Sequence, residues 1–195
     1  MASTCAAIEV SRINIRQSLA VLVLALAPGL AWAQASEKPT TVASTIKSTW
    51  GMIETEFVSA AGAMPEDKYS FVPASGEFKG ARNFAQQVLH VACANFAFFK
   101  EFEGKHPDED CSYSGAAPKK TKAEIMDYLR ESFKYADQVM ATISAQNMLD
   151  KVEGPYGGPS SKLGITVLAV WHASDHYGQV VEYLRMNGIV PPASR

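Results

Sequence analysis

The sequence predicts an all-α protein, a four-helix bundle. Three observations carry this expectation. Four stretches place apolar residues at three- and four-residue steps, the spacing of one buried helical face. Clusters of Pro and Gly punctuate them, where a helix cannot continue. No stretch shows the apolar–polar alternation of a half-buried strand. With 195 residues, 47% of them hydrophobic, the chain is long enough for a single domain with a substantial core.

The first predicted helix runs from about Val42 to Ala63, with Val42, Ile46, Trp50, Ile53, Phe57, Ala60 and Met64 in one stripe, and Met64-Pro65 ends it. Pro73 and Gly76 mark the loop that follows. The second covers about Phe78 to Phe102 and stops near Gly104 and Pro107. A charged loop over 104–119 leads to Thr121-Lys-Ala-Glu124, a capping box in which hydroxyl and carboxylate satisfy free amides at a helix start. The third helix carries Ile125, Leu129, Ser132, Ala136, Val139 and Ile143 and is expected to reach about Gln146. Gly154, Pro155, Gly157, Gly158 and Pro159 break the chain. The fourth helix begins after Ser160-Ser161 and extends to about Asn187, with Gly188 as its C-terminal cap and Pro191-Pro192 forbidding resumption. Loops at 65–77 and 103–120 are long for tight hairpins, which allows crossover connections.

Ahead of the bundle lies a different kind of segment. Arg12 and Arg16 precede an apolar run from Leu19 to Leu30, and Ala31-Trp32-Ala33 follows. A positive flank, a short apolar stretch and a small-x-small exit are the parts of a secretory signal; the run is too short to span a bilayer comfortably. Residues 1–33 are therefore expected to be a cleaved signal peptide and 34–195 the folded domain, secreted or periplasmic and free of the membrane after cleavage. Cleavage removes Cys5 and leaves Cys93 and Cys111 in a compartment that tolerates disulfides. Spacing leaves both a bridge and two thiols open.

The formal net charge of -2 gives no field to draw the chain onto nucleic acid, and no basic stripe or zinc-finger spacing is present. The histidines carry the chemical signal. His172 and His176, four residues apart, share one helical face about 6 Å apart along the axis, and two such rings can chelate one ion. Ile165, Leu168, His172, His176, Val180 and Tyr183 continue one stripe, so both rings point inward, where ring nitrogens need partners. An ion is one solution; a network of neutral, hydrogen-bonded histidines is the other. His90 is the candidate third ligand. Its side of the second helix holds Asn83, Gln86, Gln87, Ala94 and Ala97, polar or small residues that leave room beside a ring. Three imidazoles leave a coordination position open, the pattern of catalytic zinc sites. Gln87 is the candidate to contact a metal-bound water or else stands as a structural amide, and Asp175 could orient a ring or stand as a solvated carboxylate. His106, beside Pro107, is left out. Trp171, Tyr177 and Tyr183 read as core or interface residues.

These residues resemble a known family. His172-Ala-Ser-Asp-His176-Tyr-Gly-Gln, followed by Tyr183-Leu-Arg-Met-Asn-Gly-Ile-Val-Pro-Pro, resembles the last helix of the DinB-like (DinB/YfiT-like) superfamily. Met64-Pro-Glu-Asp-Lys-Tyr-Ser-Phe and Phe84-Ala-Gln-Gln-Val-Leu-His90-Val-Ala resemble the approach to its second helix. The resemblance implies a four-helix bundle with a His triad holding a divalent metal, often in a homodimer; imidazole ligands suit zinc, nickel, copper and iron, with zinc or nickel expected first. The triad falls on His90, His172 and His176. Related families include thiol-dependent S-transferases, so a small-molecule substrate, a thiol among the candidates, is implied. The expected activity is metal-dependent hydrolysis or thiol transfer. The alternative is a metal-binding or stress-response bundle without catalysis. An exported chain departs from relatives that use cytosolic thiols.

Overall fold

The computed structural model describes residues 40–103, residue 111 and residues 121–195. The signal peptide expected over 1–33, the charged loop outside Cys111, and His106 lie outside the described residues.

Four helices form as the apolar stripes predict: α1 Val42–Ala63, α2 Phe84–Lys100, α3 Lys122–Met140 and α4 Lys162–Met186. Each begins where a side chain takes over the free amides of the first turn. Thr41 with Ser44 caps α1, Asn83 with Gln86 caps α2, and Thr121 with Glu124 caps α3, all three reciprocally. Ser161 caps α4 from one side only, accepting from the Gly164 amide. Such a cap contributes about 1 kcal/mol. Gly188, at φ +73°, ends α4, and the Ile189 amide turns back to the Leu184 carbonyl as in a left-handed helix stop.

Two boundaries differ from expectation. The second helix starts at Phe84 rather than Phe78, because Gly76 and Gly80 adopt left-handed backbone (φ +112° and +80°) and the chain turns until the Asn83 cap. The Phe84 and Ala85 amides are then taken by the carbonyls of Phe71 and Tyr69, which ties the loop to the helix start. The third helix stops at Met140 rather than near Gln146. There Asn147 accepts from the Ser144 amide and donates to the Thr142 carbonyl, so a side chain replaces the helical ladder with turns. The stretch read as a plain break also holds a small antiparallel hairpin, β1 Lys151–Glu153 with β2 Pro159–Ser161. At three residues a strand, alternation has no length in which to show.

In the bundle, α1 packs on α3 and α4, and α2 packs on the same two helices. Helices consecutive in sequence, α1 with α2 and α3 with α4, thus sit diagonally, and segments 64–83 and 141–161 are the crossovers. The chain around 103–120, also read as a candidate crossover, joins the neighbours α2 and α3. The core is centred on Trp50, Phe57, Phe99 and Phe133, all fully buried; Trp50 meets Phe99 edge-on at 5.6 Å and Phe133 at 5.0 Å between ring centroids, geometries that aromatic pairs favour. This leaves the α2–α4 seam for polar groups. None of the helices among the described residues is long and apolar enough to cross a membrane.

Candidate metal centre

His90 projects from α2, and His172 and His176 from α4, into that seam. His172 and His176 are each 6% exposed; His90 is half-buried. The ring centroids lie 4.6 to 5.0 Å apart. One nitrogen from each ring falls within 4.8 Å of the other two, and His90 Nε2 is 3.1 Å from His172 Nε2. Two metal–nitrogen bonds of about 2.1 Å at a tetrahedral angle would set their nitrogens about 3.4 Å apart. The spacing thus fits a shared divalent ion. His172 turns Nε2 toward His90, while its Nδ1 is buried and has no hydrogen-bond partner among the described residues.

The electrostatics agree. Burial, followed by the neighbouring His176 and His90, holds His172 down to about 3. Burial, then His90 and Arg82, holds His176 down to about 3 as well. His90 is also lowered, chiefly by burial and by the Arg82 charge, with its hydrogen bond to Cys111 acting the other way. The three rings are therefore neutral at neutral pH, the protonation state that a ligand must have.

Partners on the far side of the rings fix their orientation. His176 Nδ1 is 2.7 Å from Gln87 Oε1. Gln87 Nε2 donates to Gln179 Oε1 at 2.7 Å, and Gln179 Nε2 donates to Asp175 Oδ2 at 3.1 Å. A carboxylate only accepts, so Asp175 gives this chain of amides one direction. Oε1 of Gln87 then faces His176, whose Nδ1 must carry the hydrogen, and Nε2 keeps its lone pair. Oriented hydrogen bonding of this kind is common behind ligating histidines. His90 Nδ1 is held by the backbone carbonyl of Cys111, and Cys111 is bridged to Cys93 on α2.

Of the residues singled out from sequence, His90, His172 and His176 come together. Gln87, 2% exposed, lies beside them with both ends of its amide engaged, the oxygen on His176 and the nitrogen on Gln179. Asp175 reaches His176 through two amides. Tyr183 is buried and donates to the Arg82 carbonyl, whereas Trp171 is 61% exposed on the outside of α4. Sequence reasoning missed Gln179 and the Cys111 carbonyl. The four-residue spacing of Asp175 and Gln179 on one helix was a usable signal for the former; a backbone carbonyl leaves no signature in residue type.

A helical bundle with three convergent imidazoles from two helices defines a class: an all-α protein with a candidate mononuclear metal site. A family model described as the DinB superfamily matches residues 52–180, and the chain belongs to that superfamily. Among solved structures, a DinB-like protein from Bacillus cereus is similar at a TM-score of 0.63 and 14% identity, over 75% of this chain and 93% of that one. The DinB-like protein YjoA from Bacillus subtilis is similar at a TM-score of 0.55 and 14% identity, over 74% and 92%. At such identity the likeness speaks for the fold alone. No curated protein matches the sequence.

Proposed function

We propose that this chain binds one divalent metal ion through His90, His172 and His176 and uses its open coordination side to act on a small electrophilic molecule, as a hydrolase or a thiol S-transferase. The observation that carries the reading is the convergence of three neutral imidazole nitrogens within 4.8 Å from two separate helices. Imidazole donors suit zinc and nickel. A bound ion would supply Lewis acidity, lowering the pKa of water or of a thiol at the open position. The chain's own contribution is positional: the histidines hold, and Gln87 keeps the His176 ring in the Nδ1–H tautomer. In this reading Gln87 is a positioning residue, a role its hydrogen bonds with His176 and Gln179 support.

The Cys93–Cys111 bridge favours an oxidising destination and so supports export, with residues 1–33 as the signal. Mass spectrometry of the natively processed chain tests this, since an intact N-terminus would sink it. Elemental analysis of protein purified without a His-tag should give about one zinc or nickel per chain, and His90→Ala, His172→Ala and His176→Ala should each remove most of it. Full metal content in all three variants would overturn the site. Turnover of ester and electrophilic probes by the loaded protein, with and without added thiols, then separates hydrolase from transferase. Silence in every assay would favour a bundle that binds metal without catalysis.

A further inference from the structure

The third ligand, His90, stands apart from the other two. It is the half-buried member of the triad, the one contributed by α2, and its outer nitrogen is held by neither a side chain nor its own helix. Its Nδ1 meets the main-chain carbonyl of Cys111, 21 residues further along the chain. A covalent bond ties residue 111 to the helix that bears the ring. Cys93, one turn beyond His90 on the same helix and 1% exposed, is joined to Cys111 with their Cα atoms 5.6 Å apart.

We propose that the Cys93–Cys111 disulfide is a working part of the metal centre: by seating the Cys111 carbonyl on His90 Nδ1, it fixes the tautomer and orientation of the His90 ring. The chemistry follows from valence. A carbonyl only accepts, so Nδ1 of His90 must carry the hydrogen of a neutral imidazole, and Nε2 is left with the lone pair. Nε2 is the atom that faces His172. The bridge therefore does for His90 what Gln87 does for His176. One ring is oriented by a row of amides on two helices, the other by a backbone group brought in on a disulfide.

The inference rests on the reading of the three histidines as metal ligands, and its test keeps the two separable. The double variant Cys93→Ala/Cys111→Ala retains the residue-111 carbonyl and loses only its tether. Wild-type protein reduced with a phosphine provides a second perturbation without any substitution, and far-UV circular dichroism checks that both remain helical. Zinc affinity, measured by competition with a chromophoric chelator, should fall by about 10–100-fold, the usual cost of losing a partner behind a ligand. In the metal-free protein, nitrogen NMR of the imidazoles should show His90 leaving the Nδ1–H form while His176 keeps it; a purely structural bridge would disturb both rings or neither. Oxidised wild-type protein that takes up no zinc would overturn the ligand reading, and the His90 resonances would then decide the role of the bridge alone. A His90 ring that remains Nδ1-protonated after the bridge is removed would overturn this proposal.

Discussion

At the residue scale, the site divides into groups that face a common point and groups that hold them there. Side chains with a chemical signature were legible in the sequence: His172 and His176 by their spacing, His90 by the small and polar residues around it. The holding groups were harder to read because they act through atoms every residue type shares or through amides common on helix surfaces. Gln87 separates the two kinds of role. Gln87→Leu keeps approximate size and removes both hydrogen bonds, so zinc affinity should drop by about 10–100-fold, with turnover per bound ion changing much less. A variant with full zinc affinity and lost turnover would instead place Gln87 at the reacting molecule. Gln179→Ala, one step further out, should weaken binding less than Gln87→Leu.

At the element scale, the stripes and caps of the sequence located all four helices, and the errors were local. The start of α2 was misjudged because Phe78 extends the apolar pattern into a segment whose glycines adopt left-handed backbone; the Asn83–Gln86 pair was the better marker. The end of α3 was misjudged because Ile143 continues the stripe in spacing while the backbone has already turned. The opening of α4, from Leu163 to Trp171, is apolar nearly all round. It divides: Ile165 and Ala169 are buried, whereas Val167 and Trp171 are more than half exposed and line a hollow with Ile46, Thr49 and Val170. Exposed aromatic and branched side chains beside such a hollow suit a protein contact, and a homodimer of the kind the family resemblance implies would be assigned to this face. Trp171→Glu should convert a dimer to monomer in sedimentation velocity while leaving zinc content intact. A wild-type chain already monomeric at high concentration would sink that assignment.

At the scale of the whole molecule, burying His172 and His176 couples the site to stability. Both His172 and His176 are held near 3 in the folded state, against about 6.5 in an unfolded chain. Between those values the unfolded chain binds protons that the native one refuses, so stability rises with pH across the window and is lost as pH falls from about 6.5 toward 3. Each ring contributes a slope of up to about 1.4 kcal/mol per pH unit there. Urea melts of metal-free protein should therefore shift to lower denaturant between pH 7 and pH 4.5, and His172→Gln should flatten the dependence. Equal slopes in the two proteins would show that these rings do not govern acid sensitivity. Diagonal placement of consecutive helices was legible only as a loop at 65–77 long enough for a crossover, since it depends on which apolar faces meet across the bundle rather than on any one of them.

The missing partner on Nδ1 of His172 has its own consequence. With Gln87 gripping one ring and Cys111 another, two corners of the triangle are pinned, and the third can swivel about its Cβ–Cγ bond without breaking any hydrogen bond behind it. Ions of different radius would be accommodated by the turn of that one side chain, whose ring centroid lies 5.2 Å from that of Phe98 with the rings nearly perpendicular. In the proposed site, tolerance or discrimination among metals would rest on that single hinge, with residue 98 setting how far it opens.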